Sequence, residues 1–266
     1  MTETKYYYLT SSIKQMNTMF NIVIATTNPY ESIQHTLDDT KHHIEIDLHE
    51  IDDDFSIEKK DSMVSKFQKG DQDPLINSEP FQLVYDQTII AEQMTQHYYS
   101  AYFNGKYDPT GIIKSWAMER VFDNYLKPLL ESNDDIEGVS FKSDEDVKLA
   151  TRRDSDYRWS ININKPNTDE NLTSYYLQNG SIATVNNLNF EKVPRSKVSE
   201  MEQVTILSGN LTDSVVWANA GISSGTEIFP KMISRSDLTG MFIDKKLGIV
   251  NFRDGSLSTN KKIFLK

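Results

Sequence analysis

The sequence predicts an α+β fold with mixed or antiparallel sheets and packed helices. Three observations carry that expectation. Long runs in the first half repeat their apolar residues at steps of three, four or seven. The second half holds short β-branched and aromatic runs instead. The two kinds of run do not alternate regularly, as a doubly wound parallel sheet would require.

Taken in order, Phe20–Ala25 reads as a strand, β-branched and aromatic with rough alternation. From about Pro29 to Phe55 the positions Ile33, Leu37, Ile44, Leu48, Ile51 and Phe55 share one helical face. Lys59 to Glu79 is charged and broken by Gly70 and Pro74, which predicts a mostly irregular connection. A second helix is expected from about Glu79 to Phe103, closed by Asn104-Gly105, and a third from about Gly111 to Leu130. Short strands follow at Val139–Phe141, Tyr157–Ile163, Ser174–Leu177, Ile182–Val185 and Gln203–Leu207. A fourth helix is expected over about Asp213–Ser224, and a strand around Gly248–Phe252. With no repeat or independent linker, residues 1–266 are expected to form one domain.

Composition narrows the function. The chain has 28 basic against 39 acidic residues, a net charge of -11, which disfavours a polyanionic partner such as nucleic acid. It has no cysteine, so thiol nucleophiles, thiolate metal sites, disulfides and cysteine-linked lipids are all excluded. The polar start Met1–Tyr8 lacks a secretory apolar stretch, and no run reaches the roughly 18 apolar residues of a membrane helix. A cytoplasmic protein with no membrane anchor is the expectation.

One segment carries chemistry. Asp108-Pro109-Thr110-Gly111 reads as a helix start, with Asp108 or Thr110 able to cap free amides and Pro109 suited to the first turn. Gly111 and Lys114 follow within a turn. Exposed amides, the positive end of a helix dipole and a mobile ammonium together suit an anion. Other clusters weigh less. His42, His43 and His49 fall on a helix already read as a charged solvent face, Asp52-Asp53-Asp54 reads as a solvated helix end, and Tyr6-Tyr7-Tyr8 and Tyr98-Tyr99 read as half-buried core. Asp213-Ser214 has no histidine after it in the chain, which disfavours serine-hydrolase chemistry.

The stretch Asp108-Pro109-Thr110-Gly111-Ile112-Ile113-Lys114-Ser115-Trp116-Ala117-Met118-Glu119 resembles the "DP.G.AKG.A.D" motif of the ApbE-type FAD:protein FMN transferases, with Ser115 in place of the glycine. Further segments resemble that family in the same order. They are Met16-Asn17-Thr18, Asp53–Phe67, Trp159–Pro166, Gly180–Thr184 and Val216–Gly221. The resemblance spans residues 16 to 225 and is to the compact form of the family, with eroded motifs.

The resemblance implies a nucleotide cleft between two lobes. It implies transfer of FMN from FAD to a serine or threonine hydroxyl of a target flavoprotein, with Mg²⁺ and release of AMP. Carried over residue by residue, it places Thr18, Lys114, Ser115, Glu119, Asp146, Ala183 and Thr184 at the flavin nucleotide. It also implies that the backbone carbonyl of Ile113 and Asn219 form a residual metal shell, and it assigns no catalytic residue. Departures are as informative. The metal-binding aspartate falls on Val215, and Asp213 lies about 200° away around a helix. Asp144-Glu145-Asp146 stands where the family has "GGD", and no histidine follows His97. The rival expectation is therefore a catalytically inactive paralogue that binds a flavin nucleotide or a protein.

Overall fold

Alternating β-branched and aromatic residues build the centre of the molecule. The structure, a computed structural model, describes residues 4–187 and 200–258. Its first strands are β1 (Tyr7–Gln15) and β2 (Thr18–Thr26), followed by helices α1 (Glu31–Phe55), α2 (Met63–Gln68), α3 (Asp73–Asn77) and α4 (Glu79–Met94). A small hairpin of β3 (Tyr102–Phe103) and β4 (Lys106–Tyr107) leads into α5 (Thr110–Val121), a π turn at Phe122–Leu126 and α6 (Leu129–Ser132). Then come β5 (Ile136–Ser143), β6 (Asp146–Thr151), β7 (Trp159–Asn164), β8 (Asn171–Leu177), β9 (Gly180–Asn186) and β10 (Met201–Ser208). Helix α7 (Leu211–Arg235) and strands β11 (Thr239–Asp244), β12 (Gly248–Arg253) and β13 (Ser256–Ser258) follow.

Among the described residues, nine strands form one sheet in the order β1-β2-β5-β6-β9-β10-β11-β12-β13, with every neighbouring pair antiparallel. The predicted α+β class is correct. The ladders differ in length: β5–β6 and β9–β10 each register six residue pairs, whereas β6–β9 registers three, Val147↔Ile182, Lys148↔Ser181 and Leu149↔Gly180. One face of the sheet carries α1, α5 and α7, and the separate β7–β8 hairpin packs Trp159 and Ile163 with Val147, Leu149 and Ile182. Strand β6 is buried along its whole length, with Val147 and Leu149 in the hairpin-side cluster and Ala150 in the helix-side cluster. No helix of the described residues is long and apolar enough to cross a membrane.

Helix α1 follows its periodicity: Ile33, Leu37, Ile44, Leu48, Ile51 and Phe55 are all buried. Other expectations are corrected. Lys59–Glu79 is not irregular, because the Ser62 side chain accepts from the Ser65 amide and starts α2, and Pro74 sits in the first turn of α3. Helix α4 stops at Met94, short of Phe103, with Gln96 and His97 both in left-handed conformation just beyond it. Asn104-Gly105, expected as a helix terminator, is instead the two-residue turn of the β3–β4 hairpin, with φ of 49° and 76°. The third helix ends at Val121 and gives way to the π turn. Strands β1, β3, β4, β6, β11 and β13 have no counterpart among the strands expected from the sequence.

Helix α7 is interrupted at Gly225, whose φ of 66° and ψ of -174° suit glycine. One turn earlier, Gly221 lets the helix lie close to β10. A Cβ there would fall 2.9 Å from Phe229 Cζ and 3.0 Å from Val204 Cγ1. Overpacking of this kind costs about 2–3 kcal/mol, and alanine's better helix propensity returns about 1 kcal/mol. Gly221→Ala is therefore expected to lose about 1–2 kcal/mol. Urea unfolding would show a lower midpoint with unchanged slope, and a midpoint at or above that of the parent protein would refute the close approach.

Candidate functional site

The site forms where the first turns of α5 meet the ends of other elements. Asp108 Oδ1 accepts from the Thr110 amide at 3.0 Å and steers the chain into α5. Gly111 packs beside the Tyr99 ring, where a Cβ would still make an ordinary contact, 3.4 Å from Tyr99 Oη. These residues open onto a cavity of about 700 Å³.

Five further pieces close it. They are the β1–β2 turn (Met16, Asn17), the end of α1 with the chain after it (Ile51, Asp52, Phe55 to Glu58), the β5–β6 turn (Asp144 to Asp146), β9 (Thr184 to Asn186) and α7 (Val215, Asn219). Met16 and Asn17 have φ of 51° and 57°, the left-handed pair of a tight hairpin turn, which carries the turn to the cavity rim.

The lining is acidic. Its charged residues are Asp52, Glu58, Asp144, Glu145 and Asp146 against Lys114. Asp52 is partly neutralised by Lys59 Nζ at 2.6 Å. Lys114 Nζ lies 3.0 Å from Asp146 Oδ2 and 3.3 Å from Asp144 Oδ2. The same Asp144 oxygen accepts from Thr18 Oγ1 at 3.1 Å. Burial pulls the Lys114 pKa down, but Asp146 and Asp144 outweigh it and hold the ammonium above its ordinary value. Burial raises the Asp146 pKa, opposed by Lys114.

The expected residues divide into two groups. Lys114, Ser115, Asp146, Thr184, Ile113 and Asn219 come together around the cavity. Ser115 is buried, and its Oγ donates to the Ile112 carbonyl at 2.8 Å. Thr184 Oγ1 pairs with Thr205 Oγ1 at 2.9 Å. Thr18, Ala183 and Glu119 are not among the lining residues. Thr18 stands behind Asp144, and Ala183 is fully buried in the helix-side core.

Glu119, placed at the nucleotide by the resemblance, has another task. Its two carboxylate oxygens accept from the amides of Leu211 (2.8 Å) and Thr212 (3.3 Å), the first residues of α7, and Lys148 Nζ lies 3.0 Å away. Helix amides left without partners at an N-terminus are best met by a carboxylate, which explains an acid here without any ligand.

The register of α7 is decided by Val215, which lines the cavity, whereas Asp213 does not. A magnesium ion finds little here. Val215 offers no side-chain oxygen, and Asn219, whose Nδ2 donates to the Val215 carbonyl at 2.7 Å, could offer only its neutral Oδ1. Among the described residues no group of three or more His, Asp or Glu side chains is arranged to hold a metal. The residues present do not fit a Mg²⁺ site, which prefers charged oxygen ligands. Ile51, Phe55, Val185 and Asn186 also line the cavity and were not singled out. Ile51 and Phe55 carried a signal, since they end the buried stripe of α1 beside the DDD run.

By sequence, no family model and no curated protein matches the chain. Its architecture does match solved structures. The flavin transferase ApbE from Vibrio cholerae aligns over 94% of this chain and 98% of its own, at 17% identity and a TM-score of 0.66. The Pseudomonas stutzeri flavinyl transferase ApbE, apo form, gives a TM-score of 0.70 at 12% identity, over 94% and 95%. The ApbE protein from Thermotoga maritima gives 0.69 at 16%, over 94% and 97%. The chain has the ApbE fold. On that fold the cavity takes lining residues from both sides of the β6–β9 ladder.

Proposed function

We propose that the cleft binds a flavin nucleotide and that the chain is a flavin transferase of reduced competence, moving FMN from FAD to a serine or threonine hydroxyl of a target flavoprotein. The observation behind this is the convergence of Lys114, Ser115 and Ile113 from α5, Thr184 from β9 and Asn219 from α7 on one cavity of an ApbE fold. Its size of about 700 Å³ suits a small-molecule ligand. Pyrophosphate cleavage needs negative charge neutralised and the acceptor hydroxyl held in line. Lys114, in the first turns of α5, is the cationic group able to do the first, with Thr18 close by and Asp146 holding its ammonium in place. Lacking a carboxylate at 215, the site supplies less charge stabilisation than the reaction class asks for, hence the reduced rate.

The proposal extends to residues 1–266 acting as one domain, in the cytoplasm, with no nucleic-acid partner. A second reading, a flavin-nucleotide binder that transfers nothing, is favoured by Val215, by Asp144 and Glu145 in the cleft and by the absence of any histidine after His97. One assay separates them. Incubation with FAD, Mg²⁺ and an acceptor peptide is expected to yield FMN-modified peptide and AMP slowly. FAD bound without product leaves the binder, and no flavin binding removes both.

A further inference from the structure

Within the cleft, Asp144 holds the place a ligand's anionic oxygen would need. Its Oδ2 accepts from Thr18 Oγ1 at 3.1 Å and lies 3.3 Å from Lys114 Nζ, so one carboxylate oxygen engages both donors. Asp146 completes the cage at 3.0 Å from the same ammonium, and it is buried on β6 where it cannot withdraw. Asp144 differs. It sits at the tip of the β5–β6 turn with φ of 49°, and its side chain is 63% exposed. It can therefore turn into water at little cost, whereas Asp146 cannot.

We propose that Asp144 is an internal competitor for anions, sealing Lys114 and Thr18 until a phosphate-bearing ligand displaces it, and so sets how tightly the cleft accepts phosphate. The inference rests on the nucleotide reading above, but it makes its own demand on charge. A phosphate arriving at Lys114 must break the Asp144 contact and endure Glu145 and Asp146 nearby. Removing the Asp144 charge removes both the competitor and its repulsion. An exposed pair of this kind is worth a modest factor, and electrostatic repulsion of a multiply charged ligand adds to it.

The variants are Asp144→Asn and Glu145→Gln. Asparagine tolerates the left-handed backbone at 144, so this change should fold. Glu145 lines the same cavity and carries the same charge, but makes no contact with Lys114 among the described residues. Binding of inorganic pyrophosphate and of FMN is measured by calorimetry at fixed ionic strength. Asp144→Asn is expected to tighten pyrophosphate roughly five- to tenfold, Glu145→Gln less than twofold, and Lys114→Met in the Asp144→Asn background to abolish the gain. Equal gains from the two single variants would reduce the effect to the general field and overturn the proposal. No gain for Asp144→Asn, or no pyrophosphate binding by it at all, would also overturn it. A pyrophosphate gain without any FMN or FAD binding would keep the competitor and discard the flavin reading.

Discussion

Glu119→Gln is expected to lower the free energy of unfolding by about 3 kcal/mol, the range for breaking a buried ion pair from one side. Glu119 and Lys148 side chains are only 12% and 11% exposed, so neither charge is well solvated. The glutamate also serves two amides of α7, and a glutamine amide nitrogen could not accept from Thr212. Left alone, the Lys148 ammonium would face the positive end of that helix, with the Gly209 carbonyl at 2.7 Å as its remaining partner. Asp213 lies close enough to feel Glu119, since its pKa is raised first by burial and next by that carboxylate. Chemical unfolding of Glu119→Gln, Lys148→Met and the double variant would form a cycle. The double variant should be less damaged than the sum of the two singles. A loss under about 1 kcal/mol for Glu119→Gln would show the acid to be dispensable to α7 and reopen a ligand role.

Val215→Asp is the second substitution with a large expected effect, and its sign depends on the metal. Val215 is 8% exposed on the cavity wall, so a carboxylate placed there without a counter-ion should cost about 2–3 kcal/mol. If the proposed metal shell of the Ile113 carbonyl and Asn219 holds, the new carboxylate would supply its missing charged oxygen. Millimolar Mg²⁺ is expected to recover most of the loss, because a ligand that binds only the folded state stabilises it in proportion to the logarithm of its concentration. The parent protein should show no such magnesium response. Thermal unfolding with and without chelator reads both outcomes. A variant equally unstable in Mg²⁺ and in chelator would show that position 215 is not beside a metal pocket.

Much of the fold was legible because burial leaves a periodic trace. Ile33 to Phe55 kept helical spacing over its whole length, and it formed the helix expected. The Asp108–Glu119 stretch opened a helix at the cavity as its capping residues required. What escaped had physical reasons. Strand β6 reads Asp-Val-Lys-Leu-Ala-Thr, and its charged Asp146 and Lys148 hide a strand that is buried on both faces. Asn104-Gly105 can end a helix or turn a hairpin, and only the partner strand chooses between them. Glu119 falls at the acidic position of the motif. Nothing local reveals that its oxygens reach amides about ninety residues later in the chain. Lys114 reads as a mobile ammonium suited to an anion, and nothing local shows that the acids holding it arrive from a turn about thirty residues away.

The short β6–β9 ladder has a mechanical consequence. Its three registered pairs match the number at the β12–β13 edge and are the fewest at any joint inside the nine-stranded sheet, and the cavity straddles it. Asn17, Lys114 and Asp146 come from one side, and Thr184, Val215 and Asn219 from the other. Any ligand gripping both sides acts as a cross-brace over a weak weld, and the Glu119–Lys148 clasp onto α7 is the rivet that holds the joint when the cleft is empty.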